Sequence, residues 1–242
     1  MIAGLPQYIP IAVTLICSYF LALWLLTSHS ALHQLRRQDA TRVTLTLGGV
    51  LVLWLAFQGL LAWQGFYSDA PNPYPRLFLA IGPPLTSIPI LLILPSVNAV
   101  LNVVSLSLLT KMHLIRIPVE LVLWSLFRSE KIPKLMTFAG ANPDILVGLS
   151  APVVGYLCFT KRVVPLKFAL VWHLIGLACL SNVSLLFLLS VPSPYQLLHG
   201  DHPNRALLYF PFIWVLSFGV PTTFLAHLIA IKRLWRTPHT GA

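Results

Sequence analysis

Seven runs of apolar residues, each near the length that crosses a bilayer, constrain this chain more than any motif in it. They cover residues 9–26, 43–63, 77–94, 108–127, 144–159, 168–190 and 207–231. A spanning helix needs about 20 apolar residues, and every backbone polar group within it must be satisfied inside the segment. Only 9% of the residues are charged and 57% are hydrophobic. About a quarter would be charged in a soluble domain, so a soluble globular chain, a disordered chain and a fibrous chain are excluded. The reading is an all-α, polytopic transmembrane bundle of seven helices. It forms a single integral membrane domain over residues 1–242, with short loops and no appended soluble domain.

The distribution of basic residues sets the orientation. Arg36, Arg37, Arg42, Lys111, Lys161, Arg162, Lys167, Lys232, Arg233 and Arg236 fall at one set of helix ends. Arg76, Arg128, Lys131, Lys134 and Arg205 fall at the other. The richer set is cytoplasmic by the positive-inside rule, which places the N-terminus out and the C-terminus in. The segment before the first run has no Lys or Arg, so a retained helix is expected rather than a cleaved signal. Trp63, Tyr67, Tyr74, Tyr195 and Tyr209 are then expected in an aromatic belt at the outer interface. Residues 95–106 are expected along the inner surface. The net charge of +10 is read as topology signals and lipid contacts rather than a nucleic-acid surface. Cys17, Cys158 and Cys179 each lie in an apolar run and form no disulfide framework or metal knuckle.

Two outer loops echo one another. Asp69-Ala70-Pro71-Asn72 precedes Arg76, and Asp201-His202-Pro203-Asn204 precedes Arg205. Each leads into a proline-containing helix, with Pro83, Pro84 and Pro89 in the third and Pro211 and Pro221 in the seventh. The echo suggests a parallel repeat of three helices, one helix, then three. The alternative is that Asp, Pro and Asn are ordinary turn residues.

The polar residues inside the runs are the candidate site. Arg116 and Glu120 stand at i and i+4, so they share a helix face. Each costs about 2.5–3.5 kcal/mol at mid-membrane on insertion scales, which pairing inside the bundle would offset. They form either a structural ion pair or a substrate and proton site. Pro118 between them frees a carbonyl one turn back. Asn142-Pro143-Asp144 reads as a helix start with Asn142 as cap; Asp144 would then sit at the outer mouth within reach of Arg116. Gly148, Ala151 and Gly155 share a face suited to close helix packing. Asn182 is expected as interhelical glue or as part of a path lined with Arg116, Glu120 and Asp144. His173 and His227 fall at matching depth and are the candidate metal or haem ligands. No dense ligand motif accompanies them. A retinal site is not expected, because Lys232 is the seventh helix's one lysine and lies at its inner end. A membrane hydrolase is not expected either.

Three sets of segments resemble a bacterial family of small polytopic membrane proteins with no established activity. They are Arg116-Ile-Pro-Val-Glu120-Leu-Val-Leu, Leu135-Met-Thr-Phe138-Ala-Gly140, and Asn142-Pro-Asp144-Ile-Leu-Val-Gly148-Leu-Ser-Ala-Pro152. Trp172-His173-Leu-Ile-Gly176-Leu and Val220-Pro221-Thr-Thr-Phe-Leu-Ala-His227-Leu are similar to its last two helices. The resemblance covers about half the chain and implies a bacterial inner-membrane protein. This chain departs from the family at Asn182, where an acidic residue is frequent.

The expected function is a small-solute or proton-coupled transporter rather than an enzyme, with Glu120 titrating and Arg116 as its partner or as an anion contact. The expected partners are the lipid bilayer and a small solute, with no nucleic acid. Two alternatives stand: a membrane-embedded haem or metal redox protein, and a non-catalytic partner or sensor subunit.

Overall fold

A computed structural model describes residue 2, residues 4–69 and residues 71–236. The described residues hold helices and no strand. The helices are α1 (Tyr8–Gln34), α2 (Ala40–Trp63), α3 (Tyr74–Ile93), α4 (Pro95–Val103), α5 (Leu106–Lys111), α6 (Arg116–Arg128), α7 (Asp144–Val154), α8 (Leu166–Ser190) and α9 (Val220–Arg236). Five stretches are long and apolar enough to cross a membrane: α1, α2, α3, α8 and Val215–Arg236. A sixth is added if α4 and the Leu106–Arg128 helix count as one broken span, with 83° between the parts. These helices make the chain a multi-pass membrane protein. Asp144–Thr160 is apolar but shorter.

Local chemistry explains where the helices depart from the expected bounds. A 3₁₀ turn at Met112–Ile115 joins α5 to α6. It coincides with Pro118, which offers no N–H to the Leu114 carbonyl one turn back. The seventh run does not begin as an α-helix at 207. Ala206–Leu208 is a 3₁₀ turn, Pro211 interrupts the ladder, and a π-helical turn over Val215–Gly219 precedes α9. The stretch after residue 95 is helical, and α9 pins it. Lys232 donates to the Leu92 carbonyl and Asn98 Oδ1 at 2.7 and 3.0 Å, while Arg233 donates to the carbonyls of Leu101 and Val104. Cations at these carbonyls complement the negative end of α4.

The lipid-facing surface follows from the sequence in most places. Leu45, Leu53, Leu60 and Trp63 of α2 are exposed, as are Tyr8, Leu15 and Tyr19 of α1. Tyr67 corrects the expected aromatic belt, since it is fully buried and its hydroxyl donates to Gln58 Oε1. Trp63 and Tyr195 are exposed as expected. The two asparagines of the loop echo are placed differently: Asn72 Oδ1 accepts the Tyr74 backbone N–H in a half-buried turn, whereas Asn204 is buried and donates to Ser190 Oγ. Ala70 of the first loop lies outside the described residues, as do Met1, Ala3 and residues 237–242.

The feature that builds the site is the late start of α7. Its first residue, Asp144, meets Arg116, which lies midway along the Leu106–Arg128 helix. The chain before it, residues 129–143, contains one 3₁₀ turn at Lys134–Met136 and no α-helix. It is folded into the protein, with Ile132, Met136, Thr137 and Asn142 buried. Irregular backbone at such a level is tolerated where protein covers it or where it lines a cavity. The small face of α7 then packs tightly on the preceding helix. A Cβ on Gly148 would fall 2.9 Å from Ile117 Cγ1, and one on Gly155 would fall 2.8 Å from Lys111 Cγ.

Candidate functional site

Eight polar or small residues between α5 and α9 meet around Arg116: Thr110, His113, Glu120, Asn142, Asp144, His173, Gly176 and His227. Arg116 Nη1 donates to Asp144 Oδ1 at 2.7 Å, and both Nη1 and Nη2 donate to the Gly176 carbonyl at 3.2 Å. Nη2 also reaches His227 Nε2 at 2.8 Å. The two side chains of the ion pair are 4% and 6% exposed, so the contact is shielded from solvent. Gly176 is required by this geometry, since a Cβ there would lie 2.5 Å from His227 Cε1.

The expected Arg116–Glu120 pair is not formed. The guanidinium turns from its own helix to the N-terminus of α7, where the helix dipole also favours the Asp144 carboxylate. Asp144 is therefore buried inside the bundle rather than at an outer mouth. Glu120 is held by a neutral group: Asn142 Nδ2 donates to Glu120 Oε1 at 2.7 Å and to the Met136 carbonyl at 3.0 Å. Asn142 Oδ1 accepts the Asp144 backbone N–H at 3.1 Å. The helix N-cap position itself falls on Pro143, one residue past the expected Asn142. Glu120 Oε2 and Arg116 Nε are buried without a hydrogen-bond partner. One guanidinium faces two carboxyls, so the cluster is electrically balanced when one carboxyl holds a proton.

The histidines extend the network in one direction, and its polarity follows from chemistry alone. A guanidinium can only donate, so His227 Nε2 must accept and its proton must sit on Nδ1. His227 Nδ1 contacts His173 Nδ1 at 2.9 Å and therefore donates to it. His173 then carries its proton on Nε2, which contacts Thr110 Oγ1 at 3.0 Å. Thr110 passes its own proton to the Leu106 carbonyl at 2.8 Å. Both rings and the hydroxyl are thus satisfied as neutral groups. His113 stacks on His227 with centroids 3.8 Å apart, and neither of its ring nitrogens has a partner.

This order bears on cofactors. One nitrogen each of His113, His173 and His227 lies within 4.8 Å of the others, which is the compass of a metal site. The unpartnered nitrogens of His113 fit a ligand role. His227 would have to give up its contact with Arg116 or move its proton first, because Arg116 takes its Nε2 lone pair and leaves the proton on the nitrogen that faces His173. Nearly parallel stacked rings also aim their in-plane lone pairs along different planes rather than at one ion. A haem between His173 and His227 would require the two rings to separate, since their facing nitrogens are in direct hydrogen-bond contact.

Asn182 stands apart from this centre and donates to the Ala141 carbonyl at 2.8 Å, tying α8 to the segment before α7. His29 and His33 also lie apart, in contact with each other and with Thr44 at the end of α1. Four members of the site were not signalled as such by the sequence. Thr110 and Gly176 match no motif. His113 reads as one histidine among several, and Asn142 reads as a cap.

Arg116, Glu120 and Asp144 form the polar end of a cavity of about 180 Å³. Its remaining wall is apolar, with Ile81 and Leu85 of α3, Leu180 and Phe187 of α8, and Phe224 of α9. The π turn before α9 supplies Val215, Leu216 and Gly219. Comparison of the chain with protein-family models, curated proteins and solved structures finds no match.

Proposed function

We propose that this protein is a carrier that couples movement of a small solute to protonation of Glu120. The observation that carries this reading is the position of Glu120. One of its oxygens is fixed by Asn142, the other has no partner, and the side chain lines a cavity beside the start of the short Asp144–Thr160 helix. Discontinuous helices that begin inside the membrane beside a binding site are a recurring construction in carriers. A proton on Glu120 changes the balance between the two carboxyls that compete for Arg116. The guanidinium can then redistribute between Asp144 and Glu120, and α7 is attached to that choice. The π turn and the prolines of α3 and α9 supply backbone that bends without losing a full helix.

The topology belongs to the same reading. Leu106–Arg128 and Asp144–Thr160 complete seven passes, with the N-terminus out and the C-terminus in by the basic-residue count. An inner-membrane location is part of the same reading, supported by the segments that resemble the bacterial family. A second reading, a metal-binding membrane protein, rests on the three clustered histidines. Metal analysis of protein purified without chelators tests it.

The carrier reading is tested by solid-supported-membrane electrophysiology on proteoliposomes. Sugars, amino acids, nucleosides, carboxylates, aromatic alcohols and quinols are applied across a pH gradient. At least one class evokes a transient current in the wild type that Glu120→Gln abolishes. Currents equal to protein-free liposomes for every class, or an unchanged current in Glu120→Gln, overturn the reading.

A further inference from the structure

We infer that the cavity takes the hydroxyl-bearing single ring of a neutral molecule, a phenol or the head of a quinol, admitted from the bilayer between α3 and α8. This rests on the cavity being the solute site of the carrier. Size gives the first limit. A cavity of about 150 Å³ lined by aliphatic and aromatic side chains holds one benzene ring. At about 180 Å³, this one holds a ring with small substituents and excludes a fused system or a sugar with its hydration shell.

Chemistry gives the second limit. The wall is apolar except at Arg116, Glu120 and Asp144, with Ser184 and Thr223 elsewhere on it. The hydroxyls of Ser184 and Thr223 already donate to the Leu180 and Gly219 carbonyls at 2.8 and 2.7 Å. Arg116 Nε–H, a donor, and Glu120 Oε2, an acceptor that becomes a donor when protonated, have no partner in the protein; both are fully buried, so a ligand meets them only as the side chains shift toward it. After that shift a single hydroxyl meets both demands, accepting from the guanidinium and donating to the carboxylate. A carboxylate ligand would face Asp144 and Glu120, and an ammonium would face Arg116. A hydrocarbon would leave both buried groups unmet.

Access is the third element. Tyr74 of α3 donates its hydroxyl to the Leu188 carbonyl of α8, which joins the two helices near their outer ends. Below that tie α3 packs chiefly on α4, on α9 and on the π turn before α9. Ile81 and Leu85 on one side and Val183, Phe187 and Leu188 on the other border the cavity there. Leu85 is 36% exposed on the lipid side. An apolar tail fits through this gap while its ring lies inside.

The test measures binding to the whole protein in lipid nanodiscs by saturation-transfer NMR, with protein-free nanodiscs as the control. The probes are phenol, toluene, benzoate, benzylamine and a hydroquinone bearing one isoprene unit. Phenol is expected to bind at least tenfold more tightly than toluene, and neither charged ring to compete. The tailed hydroquinone is expected to bind more tightly still. Leu85→Trp, outside the polar centre, is expected to weaken the tailed probe at least tenfold and phenol much less. Glu120→Gln is expected to reduce the preference for phenol over toluene.

Toluene binding as tightly as phenol, a charged ring binding best, or no ring binding at all would overturn the inference; in the last case the polar atoms face water only. Equal effects of Leu85→Trp on both hydroxylated probes would overturn the lateral route. The two proposals fail separately. Phenol binding without any solute-evoked current removes the carrier and supports this ligand class. A current from a solute without a ring, with no phenol binding, does the reverse.

Discussion

Removing Asp144 should leave a cation stranded in the interior, and the size of that effect tests how the site is held. Arg116 and Asp144 are 4% and 6% exposed and 2.7 Å apart. Breaking a buried pair by deleting one partner costs about 3–5 kcal/mol, whereas replacing both with apolar residues is often near neutral. Asp144→Leu is therefore expected to destabilise by about 3–5 kcal/mol, a factor of more than a hundred in the unfolding equilibrium. Arg116→Met strands Asp144 and also strips His227 Nε2 of its donor, which adds about 1–3 kcal/mol. The double variant loses only that second contribution, about 1–3 kcal/mol, so the cycle should show coupling of about 6 kcal/mol or more. Reversible unfolding by SDS in mixed micelles, followed by tryptophan fluorescence, measures all four proteins. Additivity within about 0.5 kcal/mol would refute the reasoning. So would an Asp144→Leu cost below about 1 kcal/mol, which would mean that Glu120 serves the guanidinium instead.

Gly176→Ala places a methyl group 2.5 Å from His227 Cε1 and should cost about 1–3 kcal/mol. Nitrogen chemical shifts of His227 should report loss of the Arg116 contact in that variant. Thr110→Val removes the acceptor for His173 Nε2–H and should cost about 1–3 kcal/mol, while Thr110→Ser should be nearly silent; thermal unfolding separates them. Asp201 accepts the Lys134 backbone N–H at 3.0 Å, and that bond holds its carboxyl below the ordinary aspartate value. A depressed carboxyl contributes its full stabilising effect above the unfolded-state value, and loses it as pH falls through the lower folded value. Exchange protection of the Lys134 amide, compared with Asp201→Ala, should therefore persist through the normal aspartate range and fade only below it.

The long apolar helices were legible because membrane crossing imposes one local demand, and local sequence meets it. The composition of residues 43–63 and 168–190 is enough to read α2 and α8. Residues 207–214 were misread because the apolar count sees Phe210, Phe212 and Ile213 but not the backbone that Pro211 interrupts. The site was legible as a set of expensive residues and illegible as a set of partners. Helix spacing places Arg116 beside Glu120, yet a guanidinium reaches several ångströms, and a dipole-stabilised carboxylate from another helix outcompeted the neighbour one turn away. Nothing local tells Tyr67 from Trp63, since both lie at one helix end. Burial of Tyr67 depends on Gln58 facing it across the turn. Gly176 carries no chemistry of its own, and its role becomes visible only when His227 arrives from α9.

The donor-only character of Arg116 has an electrical consequence. A membrane that stores energy as a potential is discharged by any unbroken relay of protons, at about 2.3 kcal/mol per charge for each 100 mV. Contacts lead from Glu120 through Asn142 to the Asp144 backbone N–H, and from the Asp144 carboxylate through Arg116, His227 and His173 to Thr110. At Arg116, however, no lone pair receives a hopping proton, and the Asn142 amide is a poor relay. The centre therefore offers no unbroken relay for protons, which is what the proposed carrier would need in order not to leak.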